Sequence, residues 1–186
     1  MGDKRKGGIP EGAESVQREE AQMEEMEALY LPTPSIATYN CQSLGAHATD
    51  RDGKRKANRK LNFITKLARR CDITCLQETW LGKFDSRALS MELGDTHIIY
   101  YNNDQLNRGG TMVLIKKIYA KSYSIGEEIL LAGRVQEISL RHESPQGRSK
   151  SHFTVYNIYL PSGNKERDRL ALIKQIADRR KGRTDH

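Results

Sequence analysis

From residue 35 onward, short runs rich in β-branched and aromatic residues alternate with polar turn sequences. Runs of this length and composition predict β-strands. There are six of them: SIATYNC (35–41), DITCLQ (72–77), HIIYYN (97–102), GTMVLIKK (110–117), RVQEISLRH (134–142) and SHFTVYNIYL (151–160). Turn sequences such as NRGG (107–110) and SPQG (144–147) separate the later runs without long helices, so we expect those strands to pair antiparallel.

Two further segments repeat their apolar residues with the period of an α-helix. The segment 57–70 lies between the first two predicted strands, and its apolar face consists of Leu61, Ile64, Leu67 and Ala68. The segment 165–180 follows the last predicted strand, and its apolar face consists of Leu170, Ile173, Ile176 and Ala177. Both should be amphipathic helices, the second capped by Asn164.

The order strand, helix, strand over residues 35–77 predicts a crossover connection. Two strands joined in this way run parallel within a shared sheet, and the connection is right-handed. Together with the later antiparallel strands, this order predicts an α/β (α+β) fold built on one mixed sheet. The carboxyl ends of the first two strands should then lie at the same edge of the sheet.

Residues 1–34 differ in composition from the rest of the chain. They carry eight acidic and four basic residues, and show an approximate helical stripe that ends before Pro32 and Pro34. We expect an acidic leader that is loosely ordered or helical, with partner docking as the alternative. The expected organisation is this leader at 1–34, a partial folded domain at 35–180 and a basic tail at 181–186.

The length of 186 residues suits one domain. A net charge of +7, with nine basic residues between positions 51 and 70, mildly favours polyanionic partners such as nucleic acid. The cysteines at 41, 71 and 75 should be reduced thiols, since three cannot all pair. No apolar stretch approaches the roughly 18 residues of a membrane span, and the amino terminus lacks a signal peptide's apolar segment. We expect an intracellular protein of the nucleus or cytoplasm, with no membrane partner.

Polar side chains stand where the first two predicted strands end, Asn40 on the first and Glu78 on the second. Parallel strands bring such ends together at an edge where ligands commonly bind. A glutamate there suits Mg²⁺, which takes one or two protein carboxylates and keeps several waters. Two ordinary alternatives remain, because asparagine often closes strands and Glu78 could cap the turn that follows it.

A series of segments carries a resemblance to a known family. The segments are TYNCQSL (38–44), DITCLQET (72–79), RGGTMVLI (108–115), GR (133–134) and VYNIYLP (155–161). In this order and spacing they resemble the endonuclease/exonuclease/phosphatase superfamily, and DITCLQET is the strongest single match. The first two segments, with Trp80 and Leu81 after QET, look more like AP-endonuclease-like enzymes of non-LTR retrotransposons than like repair or phosphoinositide enzymes.

The resemblance implies a DNase I-like fold, a four-layer α/β sandwich of which this chain would form a truncated, amino-terminal half. It implies metal-dependent hydrolysis of phosphodiester bonds in DNA, with Mg²⁺ or Mn²⁺ as the cofactor. Asn40 would be the active-site asparagine and Glu78 the metal-binding glutamate. Tyr159 would contact the scissile phosphate. Asn157 would face the same side of that strand and is a further candidate to contact DNA.

The chain departs from the family pattern in two respects. Ser162 stands where many relatives have asparagine after the proline. The family's later Gly-Asp-x-Asn and Ser-Asp-His segments do not occur, and TDH at 184–186 follows a helix and a basic run rather than a core strand. We therefore expect an incomplete catalytic set. A half fold with one sheet would also leave an apolar face uncovered, which predicts self-association.

Several side chains outside the catalytic set are candidates to meet DNA. Lys54, Arg55 and Lys56 belong to a basic segment at 51–60 that should form a loop at the rim of the site, where it would contact phosphates. A solvated loop is the alternative. Trp80, beside the glutamate, is a candidate for a base or sugar contact, with packing against the sheet edge as its alternative.

Two other functions remain open at the level of sequence. The net charge and the missing segments are also compatible with a non-catalytic module that binds nucleic acid or protein. A phosphatase of the same superfamily, acting on phospholipid or inositol head groups, would share the metal-binding glutamate. Metal-independent DNA binding that survives replacement of Glu78 would favour the binding module.

Overall fold

The computed structural model describes residues 33–44, 51–80, 86–103, 109–142, 152–160, 163 and 165–181; of residues 51–58 and 86 it describes the backbone alone. The strands in these ranges are β1 (Ile36–Asn40), β2 (Ile73–Gln77), β3 (His97–Asn102), β4 (Thr111–Lys116), β5 (Tyr123–Leu131), β6 (Val135–His142) and β7 (His152–Ile158). The helices are α1 (Arg51–Arg70), α2 (Ser86–Leu93), α3 (Lys117–Ser122) and α4 (Glu166–Lys181).

The first sheet has the strand order β1-β2-β4-β3. Strand β1 runs parallel to β2, with Asn40 opposite Gln77 at their carboxyl ends. Helix α1 connects the two strands, as the crossover pattern predicts. Strand β4 is antiparallel to both β2 and β3, so the sheet is mixed and all four of its strands coincide with predicted runs.

The remaining strands form a second sheet rather than extending the first, which corrects the expectation of a single sheet. Its order is β5-β6-β7, and both pairings are antiparallel. Strands β6 and β7 were predicted, whereas β5 was not. The sequence YSIGEEILL does not predict this strand, because Gly126 and two adjacent glutamates interrupt the alternation of apolar and polar residues. Most of its side chains are exposed.

The two sheets pack face to face around one hydrophobic cluster, and helices cover the other face of the first sheet. Ile73, Val113 and Ile138 lie between the sheets, while Ile64 and Leu76 lie between α1 and the first sheet. This mixed α/β layering covers both faces of the first sheet. The expected uncovered face is therefore wrong for that sheet, and self-association stays a prediction.

Helix α1 begins at Arg51, six residues before the predicted helix. The basic segment at 51–60 is thus helical, which corrects the prediction of a rim loop there. Ile64 and Ala68 are fully buried on the apolar face, as predicted. The helix begins early because 51–60 contains mainly Lys, Arg, Ala and Asn, with one glycine and no proline to interrupt it.

Helix α4 confirms the second predicted helix but not the predicted inner face. Leu172 is buried, whereas Leu170 and Ile173 are 59% and 48% exposed. Arg179 forms ion pairs with Glu128 and Glu137 of the second sheet. These ion pairs place the face of Leu172 and Arg179 toward the sheet, so charge pairing rather than the apolar stripe sets the helix's rotation. Its predicted cap, Asn164, lies outside the described residues.

A buried asparagine joins the two sheets at the end of β3. Asn102 is fully buried, and its Nδ2 lies 3.1 Å from Thr111 Oγ1, Leu131 O and Val135 O. Its Oδ1 accepts a hydrogen bond of 2.7 Å from the backbone N–H of Gly133. One side chain therefore holds the turn between β5 and β6 against the first sheet.

Two expectations concern residues at the margins of the fold. The acidic leader predicted at 1–34 and the basic tail predicted at 181–186 lie mostly outside the described ranges, which leave out residues 1–32 and 182–186. Among the residues that are described, no helix combines the length and the apolar character needed to cross a membrane.

Candidate metal and phosphate site

The parallel pairing of β1 and β2 brings Asn40 and Glu78 into direct contact. Asn40 Nδ2 donates a hydrogen bond of 2.9 Å to Glu78 Oε1. Asn40 Oδ1 accepts the backbone N–H of Gln42 at 3.0 Å, which fixes which way the amide points. Asn40 is exposed and Glu78 is half-buried. The carboxylate is thus oriented by an asparagine while remaining accessible to a ligand.

The backbone around this contact adopts left-handed conformations that non-glycine residues rarely take. The positive φ angles are 46° at Gln42, 72° at Ser43, 51° at Glu78 and 48° at Trp80. Within the described ranges, no other non-glycine residue has a positive φ. Such backbone costs on the order of 1–3 kcal/mol per residue and clusters at functional sites. The concentration of left-handed residues in these two strand-end loops marks this edge of the sheet as the candidate site.

The two loops continue the sheet beyond the last paired strand residues. The backbone N–H of Ser43 donates to Glu78 O and that of Leu44 donates to Thr79 O, each at 2.8 Å. These bonds hold the loop after β1 alongside the loop after β2. The relative position of Asn40 and Glu78 therefore follows from backbone pairing on both sides of their side-chain contact.

A double glycine supports the loop that carries the glutamate. The backbone N–H of Trp80 donates to Gly109 O at 2.8 Å, and that of Thr79 donates to Gly110 O at 3.2 Å. A Cβ on Gly110, whose φ is +88°, would lie 2.4 Å from Thr79 Oγ1. Only glycine fits there, which explains the Gly-Gly segment as an architectural feature.

Tyr159 lies beside the glycine pair that supports the glutamate loop. An added Cβ on Gly109 would lie 3.2 Å from the Tyr159 ring, and the Arg134 guanidinium carbon lies 4.3 Å from the centre of that ring. Arg134 therefore fixes the ring by a cation–π contact. The ring is half-buried, as suits a residue anchored at one end of a site.

Asn157 occupies the core rather than the surface. It is 1% exposed, and its Nδ2 donates to Leu76 O at 3.0 Å and Met112 O at 2.9 Å. Its Oδ1 accepts a 2.6 Å hydrogen bond from Gln77 Nε2. The asparagine joins the second sheet to β2 and β4 near the end of β2. A residue in this position links the two sheets and is not exposed to contact DNA.

The candidate DNA contacts are only partly described. The side chains of Lys54, Arg55 and Lys56 lie outside the described atoms, although their backbone is helical. Trp80 is half-buried and its indole nitrogen is shielded from solvent, which favours the packing alternative for this ring.

Cys41, adjacent to Asn40, is not equipped to bind a metal ion. Burial raises the pKa of its thiol to about 12, Glu78 acts in the same direction, and the positive charge of Lys60 only partly opposes them. Burial also raises the pKa of Cys75 to about 11. A thiol must lose its proton to coordinate a metal, so oxygen ligands remain the donors of this edge.

The donor set fits a hard cation with few protein ligands. No group of three or more His, Cys, Asp or Glu side chains lies close enough to hold a metal within the described part of the chain. Glu78 contributes one accessible carboxylate. Mg²⁺ is commonly held by one or two carboxylates, with water and phosphate oxygens completing its shell, so one glutamate is compatible with Mg²⁺ and not with a closed zinc site.

The sequence of this edge also matches a known family. Residues 37–128, which include Asn40, Glu78 and the double glycine, match the Endonuclease/Exonuclease/phosphatase family. The match spans just under half of the chain, and over it the chain is similar to that family. Divalent-metal dependence is general in this family, which agrees with the donor set around Glu78. No curated protein matches the chain.

Solved structures of TDP2 share the fold of this chain. A selenomethionine structure of TDP2 from Caenorhabditis elegans superposes with a TM-score of 0.53 at 16% identity, covering 88% of this chain and 48% of that one. Another structure of TDP2 from C. elegans gives 0.53 at 14% identity, covering 97% and 64%. The APE2 catalytic domain from Xenopus laevis gives 0.46 at 17% identity, covering 74% and 48%.

These likenesses concern the fold, because the identities are low. They confirm the predicted mixed α/β architecture of the DNase I-like type. The chain spans from about half to just under two-thirds of the TDP2 chains, 48% and 64%.

Proposed function

We propose that this domain acts on phosphodiester bonds in DNA with the help of a divalent metal held by Glu78. The observation that carries the proposal is the Asn40–Glu78 hydrogen bond of 2.9 Å, set between two loops of left-handed backbone. A structural glutamate would not need an oriented, accessible carboxylate at the carboxyl edge of two parallel strands. The family match supports the same reaction class.

The roles of the residues follow from their positions. Mg²⁺, or Mn²⁺ in its place, would polarise the phosphate and lower the pKa of bound water. Glu78 would hold the metal, and Asn40 would keep the carboxylate turned toward it by donating to Oε1. The Tyr159 hydroxyl would contact the phosphate, with its ring held by Arg134.

DNA is the proposed substrate because of charge and motif. Helix α1 carries nine basic residues and one acid between 51 and 70, and it leads directly into the strand that ends at the glutamate. Basic side chains position a nucleic acid through its phosphates without reading its sequence. The segments TYNCQSL (38–44) and QETWL (77–81) support an origin in a non-LTR retroelement. A nuclear or cytoplasmic location would agree with a DNA substrate.

We further propose that the 186 residues supply only part of the catalytic set. Glu78, Asn40 and Tyr159 would bind metal and phosphate, whereas the family's Gly-Asp-x-Asn and Ser-Asp-His segments do not occur in the sequence. Those segments would align the attacking water and stabilise charge on the phosphoryl oxygens. Binding of metal and phosphate is therefore expected without efficient cleavage.

Metal-dependent DNA affinity tests this function. A fluorescent DNA duplex should bind the wild-type chain more tightly when Mg²⁺ replaces Na⁺ at constant ionic strength, since a metal held by Glu78 would offer positive charge to a phosphate. The Glu78→Gln variant should lose that gain, while its affinity without Mg²⁺ stays within about twofold because the basic residues are unchanged. Fluorescence anisotropy measures both.

The same titration separates the alternatives. Equal Mg²⁺ effects in the two proteins would contradict a metal at Glu78. DNA binding that ignores both Mg²⁺ and the substitution would favour the non-catalytic binding module instead.

A further inference from the structure

Three consecutive backbone carbonyl groups after β1 point at one side chain of helix α1. The ammonium nitrogen of Lys60 lies 2.8 Å from Cys41 O, 2.9 Å from Gln42 O and 3.1 Å from Ser43 O. An ammonium group has three protons and no acceptor. Each proton of Lys60 therefore has a carbonyl partner, and the side chain is half-buried.

The convergence of these carbonyls depends on strained backbone. Gln42 and Ser43 have φ angles of 46° and 72°, whereas consecutive residues of an ordinary strand point their carbonyls in alternating directions. The left-handed turn brings three oxygen dipoles to one side, where they would repel each other without a cation. Lys60 supplies that charge and thereby stabilises a loop conformation that non-glycine residues rarely adopt.

This loop in turn controls the asparagine of the site. The backbone N–H of Gln42, whose own carbonyl binds Lys60, donates to Asn40 Oδ1 at 3.0 Å. That bond leaves Asn40 Nδ2 directed at Glu78 Oε1. A continuous set of hydrogen bonds thus runs from Lys60 through Gln42 to the carboxylate.

We propose that Lys60 is a positioning residue for the metal-binding pair, acting through the loop 41–43 and not by contact with DNA or metal. This inference rests on the proposed function of Glu78. It reassigns a residue that the sequence grouped with the phosphate-binding segment 51–60. A lysine whose three protons are bound by carbonyls has none to offer to a phosphate, and breaking those bonds would take the ammonium donor away from all three carbonyls.

The test compares Lys60→Met with Lys66→Met. Lys66 is an exposed lysine on the same helix, so the two variants have the same net charge and lose the same ammonium group. The first readout is the side-chain amide NMR signal of Asn40, whose two protons should differ strongly in shift while one is bonded to Glu78. This readout reports the geometry and requires no activity.

The second readout is Mn²⁺ affinity, measured by quenching of Trp80, the only tryptophan of the chain. Lys60→Met should raise the dissociation constant about tenfold, the lower end of the effect of removing a group that supports a metal ligand. Lys66→Met should match the wild type in both readouts. Unchanged Asn40 signals and unchanged Mn²⁺ affinity in Lys60→Met would overturn the proposal.

Two further results distinguish failure of the Lys60 proposal from failure of the proposed metal binding at Glu78. If the wild type fails to bind Mn²⁺, the proposed function is wrong, yet the Asn40 signals still report whether Lys60 orients the amide. If Lys60→Met does not fold, the wild type decides the matter. Its Lys60 ammonium protons should exchange slowly enough to be seen at neutral pH, and fast exchange like that of Lys66 would contradict the three-carbonyl contact.

Discussion

Replacement of Asn102 by alanine is expected to lower the free energy of unfolding by about 3–4 kcal/mol. The side chain is fully buried, and its removal leaves the Gly133 N–H without this acceptor and takes a donor from the Leu131 and Val135 carbonyls. Leu131 O keeps the Arg134 N–H. Each buried polar group left unsatisfied costs about 1–3 kcal/mol. Urea unfolding followed by circular dichroism measures the loss.

The neighbouring residue provides a matched control. Asn103 is exposed, so Asn103→Ala removes the same group where water can replace it, and its effect should stay within about 0.5 kcal/mol. A loss below about 1 kcal/mol in Asn102→Ala would contradict the view that this asparagine joins the two sheets.

The second large effect concerns catalysis. The isolated 186-residue chain, with Mg²⁺, should leave supercoiled plasmid as intact as it is in EDTA. In other hydrolases, loss of members of a catalytic set lowers the rate by about 10⁴–10⁶-fold, and the sequence lacks two such segments of the family. Gel electrophoresis of the plasmid after long incubation gives the answer.

Nicking in this assay would bear on the catalytic set only if it depended on Mg²⁺ and Glu78. Activity that requires Mg²⁺ and disappears in Glu78→Gln would show that these residues suffice alone or by association of two chains. The proposed incompleteness would then be wrong, and the assignment of Glu78 would stand.

The sequence predicted the site's framework because the decisive signals are local. A strand, an amphipathic helix and a second strand force the first and second strands to be parallel, and this alone places Asn40 beside Glu78. The apolar face of α1 around Ile64 could be predicted equally well, because its burial depends on the spacing of apolar residues within one helix.

Two features that sequence reasoning missed have different causes. Strand β5 pairs with its neighbour β6, which begins at Val135 after a short turn, but its side chains are mostly exposed and lack an apolar alternation. The rotation of α4 depends on Arg179 meeting two glutamates of the second sheet. No window of sequence around α4 contains those glutamates.

The same limit applies to individual polar residues. Asn157 was grouped with the DNA contacts because it lies two residues from Tyr159 on the same face of a strand, but that face is turned toward the first sheet. Lys60 was grouped with the phosphate-binding segment 51–60, but its ammonium group binds three backbone carbonyls. The sequence shows which residues are polar or charged, but not where their side chains point in the fold.

The most direct test of the account is a Mn²⁺ titration of the wild-type chain and Glu78→Gln, followed by Trp80 fluorescence. Trp80 is two residues from the glutamate, and Mn²⁺ quenches a nearby indole. The account predicts saturable quenching in the wild type that excess Mg²⁺ reverses, and an affinity at least about 100-fold weaker in Glu78→Gln, since even supporting groups contribute about 10–100-fold. Identical titrations for the two proteins would contradict a metal site at Glu78.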